Sequence, residues 1–190
     1  IVYHPNWVDT DRFCPRAESP VSRRVLYVGR LVEEKNLLRL AQAVNGIWGA
    51  HLRCVGEGPL HWALGGAHPA SYRADCPGPL DWAALPSEYR AAACFALPSL
   101  TEGHPKALLE AMACGLPCAV SDRGGVVRHE ETGLVFGAES EQSMRAAIER
   151  LLNDQNLAQR LGSAARKEAL KYSIETLMPQ EIALLRSVAI

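Results

Sequence analysis

Leu97–Val120 reads LPSLTEGHPKALLEAMACGLPCAV, and the punctuation of this stretch decides the fold. The apolar run Cys94–Leu97 predicts a strand that ends at Pro98. A loop follows, Pro105 opens a helix over 105–114, Gly115 stops it, and Pro117–Ser121 is the next strand. Proline suits the first helical position because its missing N–H would have no partner there. The amides of Lys106, Ala107 and Leu108 then point outward at the strand's carboxyl end. With the helix dipole they make an anion site suited to phosphate.

The same alternation extends both ways from this unit. Upstream, Val25–Val28 is an apolar run closed by Gly29, and 35–46 carries Leu37, Leu38, Leu40, Ala41 and Val44 at helical spacing. Leu52–Val55 is a further strand, ended by Gly56-Glu57-Gly58-Pro59, and a weak helix covers 60–65. A short strand is expected at Ala70–Ala74, a turn at Pro77-Gly78-Pro79 and a helix over Leu85–Ala92. Downstream come a Gly124-Gly125 loop, a strand at Gly133–Phe136 and helical stretches 140–152, 154–172 and 174–188.

Strands alternating with helices imply an α/β fold, a Rossmann-like, doubly wound parallel sheet with helices on both faces. The expected division is an extended segment at 1–20, punctuated by Pro5, Pro15 and Pro20, a sheet domain at 21–172 and a helical tail at 173–190. Ligands of such folds bind at the carboxyl ends of the strands, here the loops after Val28, Val55, Leu97 and Val120.

Composition excludes several classes. Of 190 residues, 20 are basic and 21 acidic, leaving a formal net charge of −1. That balance argues against nucleic acid as a partner and against a polybasic membrane anchor. The longest apolar run, Ala91–Leu97, is seven residues, far short of the roughly 20 that span a bilayer. The six cysteines form no CxxC pair and no zinc set, which points to a reducing, cytoplasmic compartment and leaves peripheral membrane attachment of the full-length protein open. The chain starts at Ile1 rather than Met and so reads as a fragment or processed product.

Two glutamates bracket the central helix start. Glu110 lies five residues beyond Pro105, about 7.5 Å along the axis, placed for a ribose if a diphosphate occupies the helix end. Glu102 would lie on the other side of the phosphates, beside a transferred group. A solvated loop residue and an exposed helix residue account for the same spacing. Arg30 and Lys35, in Val28-Gly29-Arg30-Leu31-Val32-Glu33-Glu34-Lys35-Asn36, come from a second loop at this edge. They can neutralise a diphosphate leaving group, or be surface cations matched by Glu33 and Glu34. Gly56 and Gly58 either admit a ligand's close approach or make a tight turn. His104 could face a sugar or fill a loop; His4, His51, His61, His68 and His129 read as ordinary histidines. No P-loop, GxSxG elbow or GxGxxG fingerprint is present.

Taken together, these segments resemble the C-terminal, donor-binding half of a family 4 glycosyltransferase of GT-B fold. The resemblance runs through His4-Pro5-Asn6-Trp7-Val8-Asp9 and Phe13, VGRLVEEKN at 28–36, VGEGP at 55–59, ALPSLTEGHPKALLEAMACGLPCAVSDRGG at 96–125 and Thr132-Gly133-Leu134-Val135. It implies a retaining hexosyltransferase of glycan biosynthesis that uses a nucleotide-diphosphate sugar (UDP- or GDP-sugar) and no domain-bound metal. By position, Arg30 and Lys35 match the basic pair on the diphosphate. Glu102 matches the glutamate near the donor sugar, and Glu110 the one on the ribose hydroxyls. Catalytic roles fall on Arg30, Lys35 and Glu102; Gly56 and the stretch Gly103, His104, Pro105, Lys106 and Ala107 join the donor contacts. The base would rest near Cys76 to Gly78.

The resemblance also implies partners: an acceptor, and an N-terminal Rossmann-like half absent from this chain. The tail would pack toward that half, leave an apolar patch when separated from it, and leave the isolated domain inactive. Departures from the family pattern are Trp7 in place of the linker glycine, Lys106 where asparagine is frequent, and Val126-Val127-Arg128-His129 without the usual acidic residue. Alternative readings are a non-catalytic nucleotide-binding or interaction module, and a nucleotide-sugar epimerase or hydrolase of similar fold.

Overall fold

A computed structural model describes residues 5–16, 23–65 and 74–188. Within them, six strands form one parallel sheet: β1 Arg24–Val28, β2 His51–Val55, β3 Ala74–Gly78, β4 Cys94–Leu97, β5 Cys118–Ser121 and β6 Leu134–Phe136. Their order is β3-β2-β1-β4-β5-β6. Every residue of β4 and β5 is buried, as uninterrupted apolar strands between two helical layers must be. The helices are α1 Leu37–Asn45, α2 His61–Leu64, α3 Leu85–Ala91, α4 Lys106–Ala113, α5 Glu141–Asn153, α6 Gln155–Ala169 and α7 Ile174–Val188. The Ser140 and Asp154 side chains cap α5 and α6, accepting from the amides of Ser143 and Leu157.

The strand order places a topological switch between β1 and β4. β1 pairs with β2 on one side and with β4 on the other, so the connections leaving these two central strands diverge and open a crevice at their carboxyl ends. The loops after β1 and β4 carry Arg30, Lys35 and Glu102, while Lys106 opens α4 and Glu110 follows one turn into it.

Three expectations are corrected. The helix expected over 35–46 begins as a 3-10 turn at Glu33–Lys35, and α1 starts only after Asn36, which adopts φ 54. Asparagine tolerates that left-handed conformation, and its side-chain amide is held by the carbonyls of Pro98 and Ala138, at 3.3 and 2.8 Å. The strand expected at Ala70–Ala74 is instead Ala74–Gly78, with Pro77 inside it where a turn is expected; residues 70–73 lie outside the described residues. β3 is an edge strand, where a missing N–H costs no ladder bond, and the register slips from Arg53↔Asp75 to Val55↔Gly78 across the proline. Pro105 precedes α4 in extended conformation rather than occupying its first position.

The entry segment folds back onto the C-terminal helices. Val8 N–H donates to the Tyr172 carbonyl (2.9 Å), and Ile174 N–H donates to the Val8 carbonyl (3.1 Å). The Arg166 guanidinium donates to the carbonyls of Phe13, Ala113 and Thr10. Phe13 enters the core beside Tyr89, edge-on at 5.7 Å between ring centres, and Tyr89 packs on Phe95 of β4 at 6.0 Å. On α7, Ile182 and Leu185 are exposed, so that helix keeps apolar surface. All six cysteines are free thiols.

Candidate functional site

Backbone bonds lace the carboxyl-edge loops together. Leu31 N–H donates to the Glu57 carbonyl (2.7 Å), Gly56 N–H to the Gly78 carbonyl (3.0 Å) and Leu100 N–H to the Glu34 carbonyl (2.9 Å). The fit is tightest at Gly56, with φ 138, where a Cβ would stand 2.0 Å from the Gly29 carbonyl oxygen. This packing by itself accounts for glycine at 56. Gly103 is the opposite case: a Cβ there would meet no heavy atom within 4 Å. The loop after β5 closes the other side, with Gly125 against the Gly103 carbonyl.

A charged contact joins the two central loops. Lys35 Nζ lies 2.6 Å from Glu102 Oε1, and the side chains are only 16 % and 11 % exposed. The Ser99 hydroxyl donates to the same oxygen (2.7 Å), and Ser121 donates to the Ser99 carbonyl (2.6 Å). Lys35 is therefore matched by Glu102 and not by its neighbours Glu33 and Glu34, and Glu102 is not a freely solvated loop residue. Arg30 is exposed and, among the described residues, forms no ion pair. Its carbonyl accepts from the buried Tyr27 hydroxyl (2.9 Å), which fixes the loop from beneath.

At α4 no side chain caps the N-terminus. The first intrahelical bond runs from Leu109 N–H to the Pro105 carbonyl, leaving the amides of Lys106, Ala107 and Leu108 without intrahelical acceptors. The Lys106 ammonium lies 4.9 Å from the centre of the Trp7 ring. Two departures from the family pattern thus touch each other, and the indole offsets the cost of a cation at the positive end of the helix dipole. His104 is tied to the same entry segment: its Nδ1 accepts from the Asn6 N–H (3.0 Å), its carbonyl accepts from the Asn6 side chain, and its ring packs on Tyr172 at 5.0 Å. Burial lowers its pKa.

Glu110 is 4 % exposed, which overturns the reading of an exposed helix residue. The fully buried Tyr89 donates to Glu110 Oε2 (2.9 Å) and approaches the Ala107 carbonyl (3.2 Å). Burial raises the Glu110 pKa, opposed by the Tyr89 bond and by Lys106. Among the described residues Oε1 accepts no hydrogen bond. Ser99 and Tyr89 went unnoticed in the sequence. Ser99 had a signal, a hydroxyl three residues before Glu102; Tyr89, 21 positions before its partner, had none.

Among the described residues no group of three or more His, Cys, Asp or Glu side chains could hold a metal ion, and no helix is long and apolar enough to cross a membrane. His4 and His68 lie outside the described residues.

Residues 22–154 match the family model of the glycosyl transferases group 1. The chain belongs to that family. This group 1 glycosyltransferase chain is 33% identical, over 197 aligned residues, to the GDP-mannose-dependent alpha-(1-6)-phosphatidylinositol monomannoside mannosyltransferase of Mycobacterium tuberculosis, covering 87% of this chain and 50% of that protein. Among solved structures it resembles sucrose-phosphate synthase of Thermosynechococcus elongatus, with a TM-score of 0.87 and 28% identity over 97% of this chain and 51% of that one. It also resembles HepE of Anabaena in complex with UDP-glucose, with a TM-score of 0.83 and 20% identity over 96% of this chain and 56% of that one. The group 1 chain thus spans about half the length of these relatives and has the architecture of one Rossmann-like half of a GT-B protein.

Proposed function

We propose that this domain binds the donor of a retaining glycosyltransferase, a UDP- or GDP-sugar, and that an N-terminal Rossmann-like half carrying the acceptor site completes the enzyme. The observation that carries this reading is the Lys35–Glu102 contact, which brings the β1 and β4 loops together at the switch point beside the uncapped start of α4. The α4 amides and Arg30 take the diphosphate. Lys35 shares its charge between Glu102 and the phosphate nearest the sugar, and Glu110 accepts from the ribose hydroxyls. Gly103, facing no protein atom, admits the sugar.

In the reaction the bond from the anomeric carbon to the diphosphate oxygen breaks, and an acceptor hydroxyl oxygen forms the new bond on the same face. The hydroxyl proton passes to the departing phosphate oxygen. Arg30, Lys35 and the amides stabilise the charge that develops there. Glu102, fixed by Lys35 and Ser99, borders the sugar. The GDP-mannose dependence of one relative and the UDP-glucose bound in one structural neighbour support a nucleotide-diphosphate sugar. On this reading 1–20 is an interdomain linker, 21–172 the donor-binding domain and 173–190 a tail whose exposed Ile182 and Leu185 are available to the N-terminal half.

Calorimetry against UDP, GDP, ADP and their sugars tests the reading. Binding of one nucleotide series, lost in Glu110→Ala, is expected. No binding at millimolar concentration, or binding unchanged in Glu110→Ala, overturns it.

A further inference from the structure

We propose that Tyr89 is a positioning residue for nucleotide recognition: its hydroxyl anchors one oxygen of Glu110 so that the other is presented to the ribose. This rests on the reading of Glu110 as the ribose carboxylate.

A carboxylate on a helix ordinarily swings between rotamers, and a buried one must have its charge compensated or lose it. Glu110 meets both constraints through one partner. Tyr89 is wholly buried, so its ring cannot follow solvent, and it is wedged between Phe13 of the entry segment and Phe95 of β4. Its hydroxyl, 2.9 Å from Oε2 against 3.2 Å from the Ala107 carbonyl, donates to the carboxylate. Oε2 is thereby fixed from inside the protein, while Oε1, without a hydrogen bond among the described residues, is left to accept from a ligand. The result is an acceptor aimed by the core rather than by its own helix. Holding it in place before the ligand arrives saves the ordering cost that a mobile carboxylate would incur on binding.

Few other groups can produce this effect. Lys106, on the same helix, acts on Glu110 as a cation. Cys114, at the C-cap of α4, has its thiol pushed up to about 12 by burial and stays neutral; around it lie Arg90 of α3, Cys14 of the entry segment and Arg166 of α6. Cys118 of β5, which faces Tyr89, is raised further by burial. Glu102 and His104 are also titratable, but neither bonds Tyr89, so an acid-side limb that moves in Tyr89→Phe belongs to Glu110. Removing the Tyr89 hydroxyl removes a contribution that lowers the Glu110 pKa, so that pKa rises and the carboxylate is lost at a higher pH.

The test compares Tyr89→Phe, Glu110→Gln and the unaltered full chain by calorimetry. The probes are UDP, GDP, their 2′-deoxy forms and inorganic pyrophosphate. Phenylalanine keeps the ring and its packing, and a thermal midpoint for each variant shows that it is folded. For Tyr89→Phe the expected results are binding of the ribonucleotide about 10-fold weaker, a smaller penalty for the 2′-deoxy form, unchanged pyrophosphate binding and an acid limb moved to higher pH. Equal weakening of pyrophosphate and nucleotide would mean a general packing defect and overturn the proposal. So would an unchanged ribonucleotide affinity in Tyr89→Phe when Glu110→Gln loses it, with the ribose reading left standing. Failure of every nucleotide to bind the unaltered chain would remove the site reading and this proposal together.

Discussion

A pair of glycine substitutions separates what the fold requires from what the donor requires. Replacing Gly56 by alanine puts a Cβ 2.0 Å from the Gly29 carbonyl oxygen, at a φ of 138 that side chains rarely adopt. Backbone strain of about 1–3 kcal/mol adds to the displacement of that carbonyl, so the total is about 3 kcal/mol or more. At about 2–4 °C per kcal/mol for a domain of this size, the thermal midpoint should fall by roughly 6–12 °C. Gly103→Ala meets no heavy atom within 4 Å, so its cost should stay within about 0.5 kcal/mol and its midpoint within about 2 °C. If the donor sugar passes over Gly103, the added methyl should nevertheless weaken donor binding by about 5-fold or more, since overpacking a fitted surface costs about 1–3 kcal/mol. Differential scanning fluorimetry reads the first quantity and calorimetry the second. Gly103→Ala that binds donor like the unaltered protein would refute the placement of the sugar there, and equal midpoints for the two variants would refute the packing argument at Gly56.

Lys35→Met should cost about 1–3 kcal/mol, because it leaves the largely buried Glu102 carboxylate with Ser99 as its remaining donor, whereas Lys35→Met combined with Glu102→Gln should recover part of that loss in urea unfolding. The His104 pKa is lower in the folded chain than the 6.5 of a free imidazole, so the folded state binds fewer protons; the contribution of His104 to stability is complete above that value and is lost as pH falls through the folded one. Acidification should accordingly lower the thermal midpoint of the unaltered protein more than that of His104→Gln, and identical pH dependence in the two would show that burial of the His104 ring carries none of it. Donor binding should survive a chelator, because the cations assigned to the diphosphate are Arg30 and Lys35; abolition by EDTA and recovery with a divalent ion would reassign that role to a metal.

The strands were legible because each buried strand of a parallel sheet is an apolar run, and Cys94–Leu97, Pro117–Ser121 and Val25–Val28 announce themselves by composition and by the glycine or proline that ends them. The alternation of such runs with helical periods was enough to set the sheet parallel and to place the nominated residues at its carboxyl edge. Only tertiary structure decided which charges meet there. Lys35 could as well have paired with Glu33 or Glu34, and Glu110 could have faced water; the strand order that sets β1 beside β4 chose Glu102 for the first, and the second is buried against Tyr89 of α3. The same holds for Asn36, whose left-handed turn depends on carbonyls 62 and 102 positions away, and for Pro77, tolerated in a strand because that strand lies at the edge. Local periodicity records which side of an element faces the core, because burial acts residue by residue. It does not record which element stands opposite, because that depends on crossovers and register summed over the whole sheet.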